Sequence, residues 1–232
     1  MLTLFFFRMA HAQGLEIAPV FIELGARDRA EQIVLKNRNA RAISFDLTMR
    51  QWSQKDGDDV LAATDIFIVS PPVITMKPGE TRTVRILRTE PPDEALELSY
   101  RLILEEIPLK ENKVPGRTPL ALVISIPLFA EPLVASAPDF LVTLAKDAAL
   151  AKDAGKTKYL LTVNNMGKSH ARILIAQPMA AGKALNDPLP MVGYALIGHT
   201  RSWEISGSQL AGADALRVVL PGGEVRTLPV PQ

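Results

Sequence analysis

The side chains able to do chemistry are few, and their spacing argues against an enzyme. The three histidines, His11, His170 and His199, stand at no metal-ligand spacing from one another, and cysteine is absent. Thiolate metal sites, a cysteine nucleophile and a disulfide framework are therefore excluded. Asp58-Asp59 and Glu105-Glu106 are the paired carboxylates that acid–base catalysis would use. Neighbours on a strand point to opposite faces, so neither pair can address one substrate. The first pair reads as a solvated turn, the second as one carboxylate in water and one against an arginine. No Gly-x-Ser-x-Gly elbow and no glycine-rich phosphate loop occurs. The expectation is a binding protein with no metal and no cofactor.

Net charge is +1, with basic residues scattered rather than striped, so neither nucleic acid nor an anionic membrane is the expected partner. Hydrophobic residues reach 47%, enough for real cores. No stretch approaches the roughly 18 apolar residues a membrane-spanning helix needs. Leu2–Phe7 is a short apolar run and Ala10-His11-Ala12 a small-x-small cleavage pattern. Residues 1–13 thus read as the tail of a secretory signal whose start was placed too late; a disordered terminus is the alternative.

The elements that must carry any site are short β-runs. Ile43, Phe45, Leu47 and Met49 alternate with Ser44, Asp46, Thr48 and Arg50, the period of a half-buried strand. Further strands are expected over Leu15–Leu24, Gln32–Lys36, Ile66–Val69, Val73–Met76, Thr83–Leu87, Leu98–Ile107 and Leu120–Phe129. Gln54–Asp59 reads as a polar turn, Lys77-Pro78-Gly79-Glu80 as a tight one, and Lys110–Thr118 as a loop. A second series covers Phe140–Leu144, Lys158–Val163, Ala171–Gln177, Val192–Ile197, Ser202–Ile205, Arg217–Leu220 and Val225–Val230, with Asn164-Asn165-Met166-Gly167 as a turn signal. Only Ala148–Ala154 has helical propensity. Seven or more short strands per half predict an all-β chain of two sandwich domains, 14–131 and 132–232, meeting near Pro132.

One strand stands out. Leu120, Leu122, Ile124 and Ile126 line one face, Ala121, Val123 and Ser125 the other, with no charge between Leu120 and Ala130. It reads either as a central strand buried on both sides or as an unguarded edge that another chain can extend.

Ser70-Pro71-Pro72 through Lys77-Pro78-Gly79-Glu80 to Val84-Arg85-Ile86 resembles the signature of the PapD-like periplasmic pilus chaperones. The resemblance continues in Glu97-Leu-Ser-Tyr100-Arg101-Leu102 and Glu106-Ile107-Pro108, and in Asn37, Trp52 and Ile126-Pro127-Leu128-Phe129 with Pro132. In the second half, Val163-Asn164-Asn165 with Gly167, His170 and Arg172, and Gly198 with Arg201 and Trp203, look like family features. The resemblance implies two immunoglobulin-like domains in an L or boomerang arrangement and a periplasmic location. It implies pilin subunits and an outer-membrane usher as partners, with pilus assembly by donor-strand complementation. Leu120, Leu122, Ile124 and Ile126 would fill the pilin's open groove, a one-residue slip substituting Ala121 and Val123. Glu97, Pro72, Gly79, Pro108 and Pro132 would be structural or inter-domain residues. A self-capping homodimer of the free form is left open.

The sequence departs from the family where a pilin's terminal carboxylate is usually bound: Phe21 and Pro127 occupy the positions of an arginine and a lysine, and Glu131 that of another arginine. These changes resemble the archaic, sigma-type branch. Arg101, Arg85 and Arg88 become candidate anchors. Internal ion pairs of Arg85 and Arg101 with Glu97 or Glu106 stand beside that reading. The competing class, a secreted two-domain adhesin or structural surface subunit, would carry its own donor extension and lack a last strand.

Overall fold

Short alternating runs become strands because each buries one face and leaves polar side chains on the other. The computed structural model describes residues 14–55, 57–109, 121–134, 139–146, 157–191, 193–220 and 223–231. The expected signal segment, the whole of the 110–118 loop, Leu120 and the helix-prone 148–154 stretch lie outside these.

The N-terminal series is β1 (Leu15–Ala18), β2 (Ile22–Leu24), β3 (Ala30–Asn37), β4 (Ile43–Lys55), β5 (Asp58–Ala63), β6 (Phe67–Ser70), β7 (Val73–Met76), β8 (Thr81–Arg88), β9 (Leu98–Glu106) and β10 (Val123–Ala130). One sheet has the order β1-β3-β8-β6; the other runs β2-β10-β9-β4-β5, with β7 also on β4. The C-terminal series is β11 (Phe140–Lys146), β12 (Lys158–Asn165), β13 (Ile175–Ala180), β14 (Lys183–Ala184), β15 (Thr200–Ser206), β16 (Ala215–Val219) and β17 (Val225–Pro229). Its sheets are β11-β12-β15 and β14-β13-β16-β17. The all-β, two-sandwich fold is as expected.

Several boundaries differ from expectation for identifiable reasons. The single run expected over Leu15–Leu24 is two strands in different sheets, because Pro19 cannot donate to a ladder. The expected turn at Gln54–Asp59 belongs to a hairpin: β4 continues to Lys55, and β5 leaves from Gly57, whose φ of +88° suits glycine. β13 starts only at Ile175, Ala171 making an isolated bridge to Ala195. The strand expected over Val192–Ile197 does not form among the described residues. Gly193 and Gly198, at φ +117° and +73°, turn the chain there.

By its contacts the chain divides into two units, residues 1–51, 62–91 and 100–128 in one and 52–61, 92–99 and 129–232 in the other. In the first, Ile43, Phe45, Leu47 and Met49 are all buried as their alternation requires, with Leu102 and Leu104 of β9 opposite Met49 and Leu47. In the second, Leu161, Val163, Leu216 and Val218 are fully buried at the centre of a separate core.

Candidate functional site

Each sandwich is tied at a strand end by one buried asparagine. Asn37 Nδ2 donates to the carbonyls of Arg41, Met76 and Lys77, and its Oδ1 accepts from Asn39 N. Its main chain grips the 77–80 turn, accepting from Gly79 N and donating to Glu80 O. That turn has proline second and Gly79 third at φ +77°, the arrangement of a type II turn, closed by Glu80 N to Lys77 O at 3.0 Å. Pro72 adds a carbonyl that accepts from Leu47 N at 2.7 Å. Pro108 is exposed just beyond β9, and Pro132 is buried.

Leu47 belongs to β4, β4 pairs with β9, and β9 neighbours β10. The even face of β10 is graded. Leu128 and Ile126 are 0% and 2% exposed, Ile124 is half-buried, and Leu122, just before the strand, is 47% exposed. One face thus begins inside its own core and runs out past the end of it. The odd face carries Val123, 60% exposed, and Ser125 before Pro127 and Phe129 turn in. β2, beside β10, has three residues against eight, so it covers only part of that edge. Ile126, expected with the others to reach a partner, packs in its own core here.

The three candidate arginines do not converge. Arg85 is exposed on β8, opposite Gln32 and Ser70. Arg101 lies on β9 in the other sheet, opposite Arg50. Arg88, three residues beyond Arg85, takes the opposite face of β8 and is 8% exposed; its Nη2 donates to the carbonyls of Ala26 and Asp28 at 2.8 and 2.7 Å. It braces the 25–29 loop, and burial pulls its guanidinium below the ordinary arginine range. Arg88 is therefore a structural cation, a role the sequence did not reveal because its acceptors are carbonyls 60 and 62 residues away.

Glu97 also has a partner other than arginine. It is buried, with Oε1 accepting from His170 N at 2.8 Å and 2.9 Å from His170 Nδ1. The His170 ring stacks on Phe129 at 3.6 Å between centroids, and Tyr194 and Trp52 close the aromatic cluster. Asp93 precedes this segment, and the amides of Ala95 and Leu96 hold its carboxyl below the usual aspartate range. Glu106, the other expected arginine partner, instead accepts from Leu122 N through Oε2. Among the described residues no cluster of histidine and carboxylate could hold a metal, and no helix is long and apolar enough to cross a membrane.

Two immunoglobulin-like sandwiches, the first ending in a strand that its short neighbour β2 covers only in part and whose core face runs into solvent, define an all-β two-domain class of protein. The chain belongs to the pili and flagellar-assembly chaperone family, whose PapD N-terminal domain matches residues 14–135. The members of that family are assembly chaperones and not enzymes. Solved structures share the fold. A chain of the CsuC–CsuE chaperone–tip adhesion subunit pre-assembly complex, from archaic chaperone-usher Csu pili of Acinetobacter baumannii, is 21% identical with a TM-score of 0.64, covering 94% of this chain and 100% of that one. The E. coli chaperone DraB is 16% identical (TM-score 0.57; 94% and 96% covered). A chain from the Salmonella enterica SafA pilin–SafB chaperone complex is 14% identical (TM-score 0.57; 93% and 95% covered). No curated protein matches the chain.

Proposed function

We propose that this protein is a periplasmic chaperone that folds and caps pilin subunits by donor-strand complementation and passes them to an outer-membrane usher. The observation carrying this reading is the graded face of β10, where apolar side chains aimed to the core side emerge from their own sandwich at Ile124 and Leu122. A partner lacking one strand would bury what this fold leaves open, worth about 1–2 kcal/mol for each of these side chains, with main-chain hydrogen bonds along the edge. The solved complexes of CsuC with CsuE and of SafB with SafA support a subunit as the partner. Phe21 and Pro127 support the archaic branch, and Ala10-His11-Ala12 supports export to the periplasm. Leu120 belongs to the same lent segment. Arg101 and Arg85 are candidate anchors for a terminal carboxylate, and Arg88 braces its loop. Pairing of two free copies through β10 is a further part of this reading.

The test is co-expression in the periplasm with the pilin of the same gene cluster, comparing wild type with Leu122→Arg. Soluble pilin that co-purifies with wild type and is lost with a folded Leu122→Arg supports the reading. Equal capture by both removes the strand assignment and moves an adhesin or structural subunit to the front.

A further inference from the structure

The leading end of β10 is held by a side chain as well as by main chain. Glu106 N donates to Leu122 O at 2.8 Å, and Leu122 N donates to Glu106 Oε2 at 3.1 Å. A regular antiparallel pair would close both bonds through main-chain atoms; here the return bond ends on the carboxylate. Glu106 is itself well placed, opposite Phe45 in the β4–β9 ladder, with Ile107 N donating to Ser44 O at 2.8 Å just beyond. Its neighbour Glu105 is exposed and opposite Asp46, so it cannot substitute. Packing does not hold Leu122 in place of this bond. A cavity of about 130 Å³ lies against it, lined also by Leu15, Arg41, Ile43, Phe45 and Glu106. A side chain with a void beside it and water on the other side is located by its backbone.

We propose that Glu106 is the positioning residue of the lent strand, fixing the register of its leading end so that Leu122 and Ile124, and not Val123, face the partner. The inference rests on the donor-strand reading. It adds the carboxylate that selects the face, since a one-residue slip would exchange every side chain. A glutamine at this position keeps an acceptor oxygen; an alanine does not.

The test uses the full chain with Glu106→Ala, Glu106→Gln and Leu122→Arg. Hydrogen exchange at the Leu122 amide is expected to rise about three- to tenfold in Glu106→Ala and to return to within about twofold of wild type in Glu106→Gln. Amides of β11–β17 should stay unchanged, showing that the fold is kept. Co-purified pilin is expected to fall severalfold in Glu106→Ala and to recover in Glu106→Gln. Unchanged exchange at Leu122, or undiminished capture by Glu106→Ala where Leu122→Arg abolishes it, overturns the positioning role and leaves the donor strand standing. Undiminished capture by Leu122→Arg overturns both.

Discussion

The last strands of the two sandwiches, β10 and β17, both follow polar loops and both take part in sheet edges, yet they treat those edges in opposite ways. β17 is guarded: Arg226 and Thr227 interrupt its apolar residues and Pro229 cannot donate to a ladder, while Leu228 and Val230 pack back on their own core. β10 has no charge along its length, and its core-side face is used up inside the fold at one end and exposed at the other. The supports behind the two strands are nonetheless alike. Asn165 donates to the carbonyls of Ser169 and Ala195 and accepts from Gly167 N, repeating what Asn37 does in the first unit. Similar scaffolds therefore carry one closed edge and one open edge, and the open one is where the family's activity is expected.

The likeness of the supports gives the largest expected effect. Asn37→Ala and Asn165→Ala should each cost about 3 kcal/mol, because several buried carbonyls lose their donor. Hydrogen exchange should show the first loosening β3 and β8 and the second β12 and β15. A loss shared by both units in either variant would break the comparison. Within β10 the contrast sharpens. Ile126→Ala should cost about 2–4 kcal/mol of stability. Leu122→Ala should cost less than about 1 kcal/mol yet reduce pilin capture more than Ile126→Ala does, measured by thermal unfolding beside co-purification. The odd face supplies a smaller effect: Val123→Arg is expected to change stability by under about 0.5 kcal/mol and leave capture near wild type. Loss of capture there would mean that the register is slipped by one.

The smallest effect is on pH dependence. Amide donors lower the Asp93 pKa in the folded chain, so its stabilising contribution is fully present above the ordinary aspartate value. It is lost only as pH falls through the lower, folded value. Acid unfolding monitored at the Ala95 and Leu96 amides should lose this late step in Asp93→Ala.

Much of this was legible in the sequence where a periodic pattern or a special backbone residue carried it. The alternation from Ile43 to Met49 placed β4, and Pro78-Gly79 placed the turn between β7 and β8. β5 was missed because Asp58–Ala63 pairs acidic residues with alanines and every position is exposed, leaving no burial period to read; the preceding Gly57 was the available signal. The alternation of Leu120, Leu122, Ile124 and Ile126 was visible, but where the core stops beneath it is a three-dimensional fact, seen only in the burial of Ile126 against the exposure of Leu122. The partners of Arg88 and Glu97 were not legible, because charge suggests an opposite charge nearby in sequence. Their actual partners are two carbonyls of a distant loop and a histidine 73 residues on.

The break at Pro19 has a consequence for how the molecule is made. Because β1 and β2 enter different sheets, the earliest described residues to leave the ribosome find their neighbours at opposite ends of the first domain's synthesis: β1 pairs with β3 shortly afterwards, and β2 waits for β10. Closure of that domain is thus a long-range event, slow on topological grounds. Until residue 130 has emerged, the nascent chaperone is itself a sandwich short of one strand, in the same predicament as the subunits it is proposed to serve.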